Sequence, residues 1–270
     1  EKFNLFFDSV KDSSDWLLYS HADLKIKLAE LEVPMLYIEK AMASSMIRAD
    51  EVLEVISNNG IFYNTGVLRR FDNRYLVVRE AVASGLIGDV RAAVHYAPTT
   101  LMHGHIHSID TISFLLGDPK IQAVRGELLP RDTRYMDRHI AKDPNATFQL
   151  IFDGDVEAYT VPAGCWEFEV FGSEGCIRLL NNGEVAVLRR VRGNRHWYEE
   201  PFKKITPKSP VVACLEDLVD SRNKDRPTLG NVRVTHHVTE ACIAVAESHL
   251  NGGVWVDLPL VQRDLYIFHV

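Results

Sequence analysis

The feature that constrains this chain most is a change of hydrophobic period near residue 88. Before it, short apolar runs alternate with stretches of helical spacing. Residues 15–20 (Asp-Trp-Leu-Leu-Tyr-Ser) and Met35 to Ile38 read as buried strands, since a strand covered on both faces needs apolar side chains in succession. Between them, the spacing of Leu24, Leu28 and Leu31 predicts a helix over 22–32, which Pro34 stops. So short a strand–helix–strand is a parallel crossover. A second helix follows, capped by Ser44 or Ser45, with an apolar face of Val52, Val55 and Ile56, and Asn59-Gly60 ends it. Next come a strand over Ile61 to Val67 and a helix over 73–84. After residue 88, strand-like runs dominate: 89–97, 121–129, 146–153, 155–162, 166–172, 175–181 and 184–192. Asp153-Gly154 and Asn181-Asn182-Gly183 form hairpin turns between them. One helix interrupts around 104–116, and two more, over 210–221 and 231–250, come near the end of the chain. The pattern predicts two portions, α/β over 1–88 and α+β over 89–270. The second carries a large, mostly antiparallel open sheet with helices on one face. The final helix and tail are expected to pack back on the first portion.

Composition narrows the function classes. The formal net charge is −7 and the sequence pI about 5.9, with positive charge scattered along the chain. No basic arm with interleaved aromatics is present, which argues against a nucleic-acid partner. No apolar stretch approaches the roughly 20 residues of a membrane helix, so no membrane partner is expected. Glu1-Lys2-Phe3-Asn4 resembles no signal peptide, and the chain does not open with Met. Cys165, Cys176, Cys214 and Cys242 are widely spaced, without a Cys-x-x-Cys, and read as buried free thiols in a reducing cytosol.

Several residues can carry chemistry. Lys40 stands where the strand Met35 to Ile38 ends, and ligands collect at the carboxyl ends of parallel strands. A lysine there exchanges a proton with a hydroxyl if burial lowers its pKa; otherwise it is a solvated loop charge. The run His103-Gly104-His105-Ile106-His107-Ser108-Ile109-Asp110 places three imidazoles within five residues. If extended, all three share a face; if helical, His103 and His107 are neighbours. On spacing alone three readings stand: a polar loop leading into a helix, a proton relay, or a zinc site of a metal-dependent hydrolase. The zinc reading lacks an Asp at position 109, which is Ile, and no His-Glu-x-x-His occurs. Arg69-Arg70-Phe71-Asp72 follows the third strand, where an arginine can grip a phosphate or carboxylate or make a surface ion pair. Ser20-His21 opens the first helix and either faces an anion or simply caps it. His236-His237, on a helix, faces two ways and reads as exposed or packed.

The order of these segments resembles the glucose–fructose oxidoreductase/inositol dehydrogenase (Gfo/Idh/MocA) family. Its Glu-Lys-Pro is similar to Glu39-Lys40-Ala41, and its Arg-Arg/Phe segment to Gly66-Val67-Leu68-Arg69-Arg70-Phe71-Asp72. Ala83-Ser84-Gly85-Leu86-Ile87-Gly88 matches its lead into the second domain. The motif Asp-x-Gly-x-His-x-x-Asp falls on His103 to Asp110, with Leu115-Leu116-Gly117 behind it. Phe171-Gly172-Ser173-Glu174-Gly175 resembles its hairpin, and the resemblance covers nearly the whole chain. It implies an incomplete Rossmann-like domain followed by a sheet domain that forms homodimers or homotetramers. It also implies hydride transfer between NAD or NADP and a sugar or polyol hydroxyl, with Lys40 on the hydroxyl and His107 as acid/base. Ser20, His21, Glu39 and Lys40 would line the cofactor; His103, His105 and Arg70 would contact substrate.

Two departures from the family pattern stand out. The motif's Asp is His103 and its Gly is His105, so no carboxylate at that position holds up the pKa of Lys40. No Gly-x-Gly occurs anywhere in the chain, and the first half of the dinucleotide domain is expected to be missing. The chain as given is therefore expected to bind NAD(H) poorly or not at all. A non-catalytic relative that binds a sugar or partner through its sheet is the alternative.

Overall fold

The computed structural model describes residues 21–193, 196–203 and 205–269. The strand expected over 15–20, and Ser20 with it, lies outside the described residues. The first portion runs α1 (His21–Glu30), β1 (Met35–Ile38), α2 (Met46–Asn58), β2 (Phe62–Thr65), a 3-10 turn (Leu68–Phe71) and α3 (Asn73–Ala83). β1 and β2 pair in parallel, Met35 opposite Phe62 and Ile38 opposite Thr65. Ser45 starts α2 by accepting from the Arg48 N–H, and Met46, Ala49, Val52 and Ile56 form its buried stripe.

β3 (Val90–Tyr96) follows, then a π-helical segment (Leu101–His105) that runs into α4 (Ile106–Leu115). The remaining strands are β4 (Ile121–Leu129), β5 (His139–Ile140), β6 (Asn145–Phe152), β7 (Val156–Val161), β8 (Glu167–Gly172), β9 (Gly175–Leu180), β10 (Val185–Arg192) and β11 (His196–Glu200). Helices α5 (Pro210–Lys224) and α6 (Val232–Leu250) precede the short strands β12 (Val256–Asp257) and β13 (Tyr266–Ile267). Among the described residues, nine strands form one sheet in the order β11-β10-β9-β8-β3-β7-β6-β4-β12. Every neighbouring pair is antiparallel except β3 with β7. β6 alternates buried and more exposed positions along its length, as a sheet with one covered face requires. β5 and β13 form a separate parallel pair.

Helix α6 is buried continuously from Val238 to Ser248, because it packs on β4 and on α2. Gly126 in β4 is needed for that approach: a Cβ there would sit 2.6 Å from Val245 Cγ1. His236 Nε2 lies 2.7 Å from Asp50 Oδ1 of α2, and Arg263 pairs with both Asp50 and Glu240. His237 Nε2 accepts from the Ile121 N–H at 2.9 Å, so both members of the late histidine pair are structural. Cys176, Cys214 and Cys242 are buried free thiols as expected, whereas Cys165 is exposed. No helix among the described residues is long and apolar enough to cross a membrane.

The two portions are also joined by charge. Arg70, on the turn after β2, has no exposed surface. Its Nε bonds Asp110 Oδ1 on α4 at 2.7 Å and its Nη1 lies 2.7 Å from Asp118 Oδ1. Arg79 reaches Asp118 from α3 at 3.1 Å. Removing one partner of such a pair strands the other charge in a low-dielectric interior. Arg70→Met is therefore expected to cost about 3–5 kcal/mol in urea unfolding. A loss under about 1 kcal/mol would show that the pair is not what holds α4 in place.

Candidate active site

Lys40 lies in the loop that leaves the carboxyl end of β1. The loop is pinned from below by Lys25 of α1, which is fully buried. Lys25 Nζ donates to the carbonyl oxygens of Glu39 (3.2 Å), Ala41 (3.2 Å) and Met42 (3.3 Å). Burial lowers its pKa to about 7, against the opposing pull of Glu39. The Lys40–Ala41 peptide is cis. Lys40 itself is 8% exposed. Its Nζ lies 3.0 Å from His103 Nδ1 and donates to the His103 carbonyl at 3.2 Å. Burial lowers the Lys40 pKa, while Glu39 and Asp143 act to raise it.

The histidine run is helical, which settles the question of which rings share a face. Asp143 caps the segment: its two oxygens accept from the backbone N–H groups of Met102 (2.9 Å) and His103 (2.8 Å). Gly104 is required where it stands, since a Cβ would fall 1.7 Å from Thr99 Oγ1. His103 and His107, one turn apart, lie on the side that faces Lys40. His107 is half-buried. Burial pushes its pKa down to about 3, helped by the charges of Arg69, Lys40 and His103 in that order, so the imidazole is neutral.

Two site expectations are corrected. His105 is fully buried on the opposite side of the helix. Its Nε2 lies 2.8 Å from the Ala146 carbonyl and its Nδ1 3.2 Å from Ser108 Oγ. It cannot touch a ligand, because a helix turns alternate residues away from each other. Arg70 is likewise in the interior, held by Asp110 and Asp118, and not in the cleft. Its neighbour Arg69 instead is the arginine whose charge acts on His107. The Arg69 Cζ stacks 4.6 Å from the Trp166 ring centroid, and its Nε and Nη2 donate to Asn182 Oδ1 at 3.0 and 2.7 Å. Trp166 in turn stands edge-on to His107 with centroids 6.4 Å apart.

Further residues complete the cleft. His269 stands 5.7 Å from the His103 ring and 6.3 Å from His21, centroid to centroid. Burial first, then Lys40, lowers its pKa to about 4. His21 is lowered by burial and by Lys25, and feels Glu39, Lys40 and the Ala41 backbone. Glu39 is exposed, accepts from the Tyr37 hydroxyl at 3.2 Å, and lies against Gly66, where a Cβ would sit 2.3 Å from its Oε2. The structure thus gathers Lys40, His103, His107, His21 and Glu39 in one region. The sequence reading missed Lys25, Arg69 as against Arg70, Asp143, Trp166, Asn182 and His269. Only Arg69 carried a signal, as one of an arginine pair. Among the described residues no group of three His, Cys, Asp or Glu side chains can hold a metal, and the helix splits the histidine run that suggested one.

A lysine at the end of a parallel strand faces histidines on a helix that rides a large open sheet, in a two-part α/β and α+β architecture. No protein-family model matches the chain. It is 28% identical over 258 residues to the scyllo-inositol 2-dehydrogenase (NAD(+)) of Bacillus subtilis (strain 168), covering 86% of this chain and 73% of that protein. It is 25% identical over 243 residues to the inositol 2-dehydrogenase/D-chiro-inositol 3-dehydrogenase of Shouchella clausii (strain KSM-K16), covering 82% and 69%. The crystal structure of an inositol dehydrogenase homolog from Azotobacter vinelandii, complexed with NADH and myo-inositol, superposes with a TM-score of 0.70 at 12% identity, covering 88% of this chain and 75% of that one. The chain is thus similar to inositol dehydrogenases in sequence and shares the fold of such oxidoreductases.

The buried imidazoles make stability depend on pH. His95 of β3 is fully buried, with Nδ1 3.3 Å from Thr160 Oγ1 and Nε2 3.4 Å from Ser108 Oγ. Burial lowers its pKa to about 2 and that of His105 to about 4. Both lie below the unfolded value, so their contribution is present above about pH 6.5 and is lost as pH falls from there. Urea midpoints compared at about pH 7 and pH 5 should show a loss of roughly 2 kcal/mol per buried imidazole. His105→Gln should flatten the slope by one such step; an unchanged slope would mean that the ring carries a proton in the fold.

Proposed function

We propose that this chain acts as a nicotinamide-dependent dehydrogenase on a hydroxyl of a sugar or polyol. The observation that carries the reading is the convergence of the Lys40 ammonium with the His103 and His107 imidazoles at the carboxyl end of β1. The relatives named above, inositol dehydrogenases among them, support an NAD-type cofactor and a small hydroxylated substrate.

The described residues suit the nicotinamide end of such a cofactor. The parallel crossover ends at Glu39 and Lys40, and His21 stands against Ala41 at the start of α1. These three would line the ring and its ribose. Once bound, the cofactor exchanges hydride with a substrate carbon. The chain's own side chains supply orientation and proton transfer. His103 holds the Lys40 ammonium through its ring nitrogen and its carbonyl, and so aims it into the cleft. An ammonium against a hydroxyl oxygen makes the hydroxyl proton more acidic. The neutral His107 ring is in the right state to accept that proton. The exposed sheet face, where Tyr159 and Val161 project from β7, is the surface we propose for pairing of copies.

Lys40→Met and His107→Gln are each expected to lower kcat/KM about 100-fold, in assays of NADH formation at high NAD+ over a panel of inositols and hexoses. Wild-type rates in both variants would remove the assigned roles. A second reading, a non-catalytic sugar binder, is favoured by one observation: the chain contains no Gly-x-Gly, whose backbone N–H groups cradle a pyrophosphate. Calorimetric titration with NAD+ is accordingly expected to give millimolar affinity, and micromolar binding would overturn that expectation.

A further inference from the structure

We infer that the cleft is built for an anionic substrate, a sugar or polyol bearing a carboxylate or phosphate whose charge is received by Arg69 while its reacting hydroxyl meets Lys40 and His107. The position of the reacting hydroxyl rests on the dehydrogenase reading; the charge preference rests on the residues below.

Lys40 bonds an imidazole and a carbonyl. Arg69 bonds the Asn182 amide oxygen and stacks on Trp166. Among the described residues neither cation makes a salt bridge. The nearby carboxylates are engaged elsewhere: Asp143 by two backbone N–H groups, Asp110 by Arg70, and Glu39 by Tyr37. Lys40 and Arg69 therefore have no carboxylate in contact, although Glu39 and Asp143 act on Lys40 through space. A partly desolvated cation with only neutral partners favours an anion that enters with it.

Arg69 is also preorganised. The guanidinium plane is clamped between an aromatic face and an amide oxygen, so little rotamer freedom is lost when it accepts a ligand. Trp166 is the shared neighbour, 4.6 Å from the Arg69 Cζ and 6.4 Å from the His107 ring. The charge receptor and the base thus flank the same indole ring.

After burial, Arg69 and Lys40 are the main causes that hold the His107 pKa down at about 3, where an imidazole is a weak base. An anion seated on Arg69 offsets part of that repulsion and raises the His107 pKa, while the larger effect of burial remains. A neutral polyol cannot do this. The ligand's own charge would then strengthen the base.

The test is calorimetric titration in the presence of NAD+, with D-glucuronate, D-glucose 6-phosphate and D-glucose as probes. At least one anion should bind about tenfold more tightly than glucose at low salt, the gap narrowing as salt rises. The tighter of the two identifies the charged group. Arg69→Gln should collapse the gap. His103→Asp, at an exposed position beside Lys40, should shift preference toward glucose. Glucose binding as well as both anions, no binding by any probe, or a gap that survives Arg69→Gln overturns the inference. Oxidation of inositol without an anion preference would sink this inference and leave the dehydrogenase reading standing. An anion preference without NADH formation would do the reverse.

Discussion

The buried contact between Arg70 and Asp110 is the constraint on which the site depends. It joins the turn that follows β2 to the helix that carries His103 and His107. Both walls of the cleft are referenced to it. Arg69 is the next residue along the turn, and His107 lies one helical turn before Asp110. Replaced as a whole by apolar side chains, a buried ion pair of this kind need not cost stability. What it supplies is register: the guanidinium can be satisfied only where Asp110, Asp118 and the Asp110 carbonyl meet. Sliding α4 by one residue would remove those partners and also turn His107 away from Lys40.

This dependence explains what could and could not be read in the sequence. The change of period near residue 88 gave the parallel crossover and the large open sheet, because both follow from apolar spacing alone. β5, β12 and β13 were missed because two residues cannot express a period. β11, His-Trp-Tyr-Glu-Glu, carries no alternation to detect. Within the site, the position of Lys40 was legible from the end of a strand. The orientation of neighbouring side chains was not. Arg69 and Arg70 are chemically the same, and only the tight turn decides which points inward. His103, His105 and His107 share a face in a strand and divide in a helix, so the metal and relay readings turned on backbone geometry that spacing left open.

Lys25 shows a different kind of illegibility. Its place beside Leu24 on a short amphipathic helix reads as a solvent face, since lysine is rarely buried. Here it is enclosed with three carbonyl acceptors, all from the loop that presents Lys40. A backbone loop leaving a strand has carbonyls without sheet partners, and they must be satisfied somewhere. One ammonium with three donors satisfies all three at once. The cost of burying that charge appears as its lowered pKa. The loop and the buried lysine therefore account for each other, which neither residue type nor spacing reveals.

The imidazole of His103 beside Lys40 has its consequence in the electrostatics around it. A carboxylate at that position would pair with Lys40, neutralise it, and leave the cleft suited to uncharged hydroxyls. The imidazole accepts a hydrogen bond from the ammonium but brings no negative charge. Asp143 does not repair the deficit, because both its oxygens cap the segment that carries His103. Its charge still reaches Lys40 and His269 through space, but without contact. The same carboxylate that fixes the helix start is thereby withheld from the lysine. The lack of a contacting carboxylate at Lys40 follows from the capping of the π-helical segment together with the imidazole at position 103.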